Sequence, residues 1–177
     1  MLFRSIKHNP DGPSMIPDAD AARASIESSV EHTMRTGYGR YLVSLRTGGD
    51  EEQEQFSKRE LEHVGVVSMQ LNRHPSVPGP LIPDVGFNFL PKYHGKGIAS
   101  EAARCLMEYF QAEKGVKAFA GMTDDENEEA KKTLRRLGFR EWGVRGVKGV
   151  VDGGRETALS VWTVGVEDEG TLEGLGL

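Results

Sequence analysis

Residues 84–103 read DVGFNFLPKYHGKGIASEAA, and this stretch holds the residue types whose spacing could do chemistry. Gly95 and Gly97 stand one residue apart, after an alternating segment and before a helical pattern. Glycines at such a junction let the backbone turn its N–H groups inward, and a helix start adds unpaired N–H groups of its own. Together they form an anion site whose natural guest is a phosphate or pyrophosphate. Lys92, His94 and Lys96 lie in the same loop. Each could meet phosphate, and each could equally be an ordinary solvated loop residue. At the start of the preceding segment, Asp84 offers a carboxylate able to take a proton through a water. Its plain alternative is a strand-start carboxylate after Pro83, and Glu62 is a weaker candidate for the same task.

The elements that must position these residues follow from periodicity. Asp84 to Leu90 alternates, with Val85, Phe87 and Phe89 on one face and Asp84, Gly86 and Asn88 on the other, and Pro91 ends the strand. From Ile98 to about Lys114 the stripe Ile98, Ala102, Leu106 and Phe110 predicts an amphipathic helix. Cys105 lies near that stripe and reads as core. Upstream, Leu2 to Ile6 could be a short strand and Lys7 to Pro17 a loop. Asp18 to Arg35 reads as a helix with Asp18 as N-cap, Gly37 beyond its end, and Ala22, Ile26, Val30 and Met34 repeating every four residues. Arg40 to Leu45 and His63 to Leu71 read as strands, joined by an acidic connection, Thr47 to Glu60. Asn72 to Pro83 is too rich in proline for a sheet interior, and serves either as a lid on the substrate side or as a connector.

Downstream, Val116 to Met122 reads as a strand. Asp124 to Leu137 reads as a helix, acidic at its start and basic at its end, with Gly138 as the C-terminal stop. Arg140 to Lys148 and Thr157 to Val164 close the pattern as two strands, placing Trp142 and Trp162 in the core. Glu167 to Leu177 is acidic and Gly-rich, and predicts a frayed end. Helices alternate with strands in the middle and the end is strand–strand, so an α/β layer fold with a mixed sheet is expected.

Composition bounds the function. A chain of 177 residues suits one domain. Its net charge of −5 opposes broad nucleic-acid binding and leans toward cationic partners. The single cysteine, Cys105, allows no internal disulfide and points to a reducing compartment, cytoplasm or nucleus. No apolar run approaches the ~20 residues needed to cross a bilayer, and no signal-peptide core opens the chain. His8, His32, His63, His74 and His94 show no metal-ligand spacing, so no metal is expected.

Three nucleotide-type readings compete for the glycine loop. A P-loop needs Ser or Thr after its Lys, but Gly97 follows Lys96. A dinucleotide fingerprint needs a third glycine where Ser100 stands. The third reading fits. Lys92-x-x-Gly95-x-Gly97 resembles the Q/R-x-x-G-x-G/A acyl-CoA signature of the GCN5-related N-acetyltransferase (GNAT) superfamily, with Lys at its first position. Val85 to Pro91 resembles that family's strand ending in Pro, GKGIASEAA its loop and helix, and TDDENEEAKKTLRRLGF its next helix. The branch it most resembles contains the ribosomal-protein alanine acetyltransferases.

The resemblance implies a GNAT-like, mixed, mostly antiparallel sheet of about six or seven strands with three or four flanking helices. One acyl-CoA N-acyltransferase domain would span residues 1–165, abbreviated at its N-terminus, and residues 166–177 would form a flexible acidic tail. Acetyl-CoA would lie in a V between the strands Asp84–Leu90 and Val116–Met122, and a small-molecule or peptide amine would approach from the other side. Backbone N–H groups from His94 through Gly95, Lys96, Gly97 and Ile98 to Ala99 would hold the pyrophosphate. Phe89 and Leu90 would pair main chain with the pantetheine arm, and Asn127 would lie beside that arm, if it does not simply cap its helix. A main-chain N–H near Asn88 and Phe89 would face the oxyanion, and Asp84 would be the base. The family's acid positions are vacant: Ala130 replaces a serine, and Glu141 and Trp142 stand where other branches place a tyrosine. A thiolate with a pKa of about 8.5 can leave without an acid. Two hypotheses stay open: an acetyl-CoA-dependent N-acetyltransferase, and a non-catalytic acyl-CoA-binding or interaction module on the same fold.

Overall fold

The computed structural model describes residues 18–46, 60–73, 76–151 and 154–177. The expected strand at residues 2–6, the loop at 7–17 and most of the acidic connection lie outside them. The described elements are α1 (Ala19–Thr36), β1 (Gly39–Arg46), β2 (Leu61–Gln70), β3 (Asp84–Phe89), a short 3-10 turn (Pro91–Tyr93), α2 (Ile98–Lys114), β4 (Phe119–Thr123), α3 (Glu128–Arg136), β5 (Arg140–Val147), β6 (Thr157–Val164) and α4 (Glu169–Gly174). The six strands form one sheet in the order β1-β2-β3-β4-β6-β5. Every neighbouring pair is antiparallel except β3 and β4, which run parallel. The sheet is thus mixed and mostly antiparallel, as expected.

Alternation along the strands divides the core in two. Val67, Met69, Val85 and Phe89 point to one face, where they meet Leu106, Met107 and Phe110 of α2. Phe110 is fully buried, and its ring lies 5.2 Å from Tyr38 and 6.5 Å from Tyr41. Leu134 of α3 and Trp162 of β6 continue this layer. On the opposite face Ala120, Met122, Leu159 and Val161 pack with Ile82, Val150, Leu172 and Leu177.

Three expectations change. The end of the chain, expected to fray, forms α4: Asp168 caps it, Leu172 is wholly buried, and Leu175 accepts a hydrogen bond from the Leu81 amide. Two leucines spaced to reach one apolar face suffice to dock a segment that composition alone reads as polar. Helix α3 starts later than its acidic residues suggest, because Asn127 is its N-cap and Asp124 to Glu126 form the preceding turn. In α1 both caps are as expected, with Asp18 accepting from the Ala21 amide and Gly37 left-handed at φ 73°. Its apolar stripe, however, faces solvent: Ile26, Val30 and Met34 are 63%, 51% and 83% exposed. The inward side carries small hydroxyl residues. Thr33 lies over Gly39, where a Cβ would fall 1.7 Å from the Thr33 Oγ1, so helix and strand approach closely. Thr33 and Thr36 donate to carbonyls one turn back, at 2.8 Å each, and leave no hydroxyl unmet at this contact.

Candidate active site

Strands β3 and β4 share one bridge, Asp84 with Ala120, supported by the Ala120 amide on the Pro83 carbonyl at 2.9 Å. Beyond it they part and leave a V. Antiparallel pairing decides which backbone groups face that V. Leu90 N–H donates to the Val64 carbonyl at 3.0 Å, so the directly opposed hydrogen-bonded pairs with β2 fall on Leu90, Asn88 and Gly86. The N–H and C=O groups of Phe87 and Phe89 therefore turn the other way, toward β4. Sequence reasoning named Phe89 and Leu90 for this edge. The structure turns Phe89 to it but commits the Leu90 amide to β2, and Phe87 takes the second position.

The chain then passes through the 3-10 turn into the glycine loop. Gly95 and Gly97 are left-handed, at φ 73° and 81°. That backbone costs other residues about 1–2 kcal/mol. A Cβ built at either glycine meets no atom within 4 Å, so space for a ligand lies over both. Gly97 is the N-cap of α2, and no side chain caps the helix. Its first N–H groups and the positive end of the helix dipole thus face the loop. Ile98 and Ala99 open this helix and contribute to that set, whereas the His94 amide already donates to the Pro91 carbonyl. The His94 ring nitrogen Nε2 lies 2.9 Å from the Phe89 carbonyl and ties the loop to the strand end. That carbonyl keeps a second lone pair for a ligand.

Lys92 and Lys96 both sit over the Tyr93 ring, 4.8 and 5.4 Å from its centroid. Lys92 also pairs with Glu62 at 2.7 Å, and the Tyr93 hydroxyl donates to the same carboxylate. Hydrogen bonds from Lys92 and then Tyr93 pull the Glu62 carboxyl below its ordinary value, and the bond to Glu62 raises the Lys92 ammonium. Glu62 is therefore anchored at the loop, where it holds Lys92.

Asp84 is buried at the base of the V and forms an ion pair with Arg73, whose guanidinium also donates to the Val150 carbonyl at 2.8 Å. Both line a cavity of about 40 Å³ on the face opposite α2, together with Arg40, Ser68, Gly86 and Asn88. Pairing across β1, β2 and β3 sets Arg40 against Ser68 and Ser68 against Gly86. A Cβ at Gly86 would lie 2.7 Å from the Ser68 Oγ, so glycine keeps the cavity open. Sequence reasoning found Asp84 but missed Arg73 and Arg40. The only available signal for Arg73 was its place in the proline-rich segment, read as either lid or connector.

Asn127 acts as a cap: its Oδ1 accepts the Ala130 amide at 3.1 Å, so only its NH₂ donors could reach a ligand. Trp142 is half-buried and donates to the Thr163 Oγ1 at 2.7 Å, while Trp162 is 1% exposed. Cys105, expected in the core, is exposed on α2, because residue 105 falls one position away from the buried Leu106 and Ala103 side. Among the described residues no group of three or more His, Cys, Asp or Glu side chains could hold a metal ion, and no helix is long and apolar enough to cross a membrane.

A sequence profile of the acetyltransferase (GNAT) domain matches residues 4–140. No curated protein matches the chain. Among solved structures, the ribosomal-protein α-N-acetyltransferase RimL in complex with coenzyme A superposes with a TM-score of 0.61 at 17% identity, over 87% of this chain and 76% of that one. The microcin C7 self-immunity acetyltransferase MccE in complex with acetyl-CoA and AMP gives 0.59 at 19% identity, over 84% and 71%. A point variant of the spermidine N-acetyltransferase SpeG from Vibrio cholerae gives 0.53 at 16% identity, over 80% and 73%. These likenesses show a shared fold. With the profile spanning most of the chain, the protein belongs to the GNAT acetyltransferase family, whose members take acetyl-CoA as co-substrate.

Proposed function

We propose that this protein acetylates a primary amine by direct attack on acetyl-CoA in the V between β3 and β4. One observation carries the reading: the two strands part beside a helix start that no side chain caps and that two left-handed glycines precede. When bound, acetyl-CoA supplies an acetyl thioester whose carbonyl carbon gains a bond to nitrogen as its bond to sulfur breaks. The N–H groups of Gly95, Lys96, Gly97, Ile98 and Ala99 hold the pyrophosphate, with Lys96 and Lys92 as nearby counter-charge. His94 positions this loop against Phe89. The backbone of Phe87 and Phe89 pairs with the pantetheine arm as an added strand would, and Asn127 NH₂ borders the arm. The main-chain N–H of Phe89, which turns toward the V, would face the charge that builds on the carbonyl oxygen. Asp84 takes the ammonium proton through a water, and the thiolate leaves unaided.

Thermal unfolding with acetyl-CoA, CoA, NAD and ATP in parallel tests the donor. Ligand at 100 times its Kd adds about 2.7 kcal/mol, or roughly 5–11 °C in Tm for a domain of this size. A shift with acetyl-CoA and CoA alone supports the reading, and a shift with NAD or ATP alone refutes it. Release of CoA thiol with an amine panel then separates catalysis from mere binding.

A further inference from the structure

We infer that Arg73 is a positioning residue for the deprotonation of the amine: it keeps Asp84 ionised and fixes that carboxylate to the connection between β5 and β6. This rests on the proposed function and adds a residue to its proton-transfer step. Asp84 is 6% exposed, and it is the sole carboxylate among the described residues that line the cavity beside the V. A carboxylate this deeply buried needs a counter-charge to stay ionised, and only the ionised form accepts a proton. Arg73 supplies that charge from a side chain that is itself 8% exposed. Its Nη2 donates to Asp84 Oδ2. A carboxylate has about four acceptor sites on two oxygens, so this bond leaves capacity for a water. A cavity of about 40 Å³ has room for about three waters, at roughly 10–15 Å³ each. The ammonium then gives its proton to a water as that water gives one to Asp84, which leaves a neutral amine and a carboxylic acid.

The backbone explains how Arg73 arrives there. Gln70, the last residue of β2, stands opposite Asp84 in the sheet. Asn72 follows in left-handed backbone at φ 51°, a conformation that asparagine visits more readily than most residues. The chain turns at that point, and the Arg73 side chain returns to the residue that faced Gln70. Its other terminal nitrogen, Nη1, donates to the Val150 carbonyl at 2.8 Å, from 77 residues away in the chain. Val150 is 2% exposed and follows Gly149, where a Cβ would fall 2.8 Å from the Gly79 Cα. The Leu81 amide meets the Leu175 carbonyl at 2.9 Å. The segment between β2 and β3 is thus seated on the β5–β6 connection and on the end of α4, and Arg73 spans that junction to reach the fork. A planar guanidinium serves two acceptors in different directions at once, whereas a lysine ammonium is a single point of charge.

The test compares the full-length parent with Arg73→Lys and Gly149→Ala in CoA thiol release, using the amine that the parent turns over best and rates per folded molecule. Arg73→Lys should lose about 10- to 100-fold in kcat with KM for acetyl-CoA unchanged, and the loss should shrink to within about 3-fold from about pH 7 to about pH 9, as more of the amine arrives without its proton. Arg40 and Arg73 are the other charged groups lining the cavity, and neither gives up a proton in that range. A loss that came from packing alone would not follow the ionisation of the amine. Gly149→Ala presses on Gly79 and so displaces the Val150 carbonyl. It should lower kcat with the same pH dependence, and the two changes together should lose less than the product of their separate losses. Parent-like kcat in either variant, a loss that does not change with pH, or an Asp84→Asn protein as active as the parent overturns the inference while leaving the acetyltransferase reading intact. A parent that binds no CoA, or releases no thiol with any amine, refutes the proposed function itself, and the inference falls with it.

Discussion

Asp84→Asn removes one charge from a pair whose side chains are 8% and 9% exposed. Breaking a buried pair from one side leaves the other charge uncompensated and costs about 3–5 kcal/mol. The asparagine keeps an oxygen for the Arg73 donor, so the lower end, about 3 kcal/mol, is expected. At roughly 2–4 °C per kcal/mol for a domain of this size, Tm should fall by about 6–12 °C. Arg73→Met should cost a similar amount by leaving Asp84 unpaired. The double variant removes both charges together and should recover at least about 1.5 kcal/mol against the sum of the singles. Urea unfolding at unchanged m supplies the free energies. Activity per folded molecule should fall about 10²- to 10⁴-fold in Asp84→Asn if this carboxylate takes the amine proton, and the alkaline side of the rate profile should gain relative to the neutral side. A Tm within about 2 °C of the parent would refute the reasoning, since the pair would then behave as a surface contact worth under about 1 kcal/mol.

Gly97→Trp should keep its fold, since nothing lies within 4 Å of the added Cβ, at a backbone cost of about 1–2 kcal/mol. It should abolish the Tm shift with CoA, and a folded variant with parent-like CoA affinity would remove the loop from the site. Leu172→Ala should destabilise by about 2–5 kcal/mol in urea unfolding, because Leu172 is fully buried; a loss under about 0.5 kcal/mol would mean that α4 does not dock. Ser at Ile26, Val30 or Met34 should change stability by no more than about 0.5 kcal/mol each, as expected of exposed positions. For Glu62, the folded carboxyl lies below its ordinary value, so its contribution is present above the unfolded pKa and is lost as pH falls through the folded one. Lys92→Met should move the Glu62 carboxyl up toward the ordinary Glu range in an NMR titration, and an unmoved titration would show that Lys92 does not hold it.

The glycine loop and the strand and helix order were legible because each rests on local chemistry. Gly95 and Gly97 mark left-handed backbone, Asp18 and Gly37 mark helix ends, and alternation marks β3. The rest depends on partners far apart in sequence. The every-fourth repeat of Ile26, Val30 and Met34 identifies a helix but not the side it presents, and the close approach of Thr33 to Gly39 turned that stripe outward. The same holds for Leu172, whose partners come from β4, β5 and β6. Asp84 was visible as a carboxylate in a strand, yet its meaning depends on Arg73, which reaches it from a segment with no periodicity to read. Register alone brings Arg40 to Ser68, and no spacing in the chain announces it.

The single bridge between β3 and β4 bears on how the chain assembles. Strands β1, β2 and β3 are successive in sequence and pair with one another, as β4, β5 and β6 do on the far side, so the sheet is two contiguous sequence blocks stitched at Asp84 and Ala120. Each block closes through nearby residues, which favours early and rapid formation. Joining them comes later and depends on few backbone bonds, with α2 and α3 meeting above the seam. A chain severed near Gly115, between α2 and β4, should therefore yield two fragments able to find each other, with CoA as the ligand that promotes their reunion.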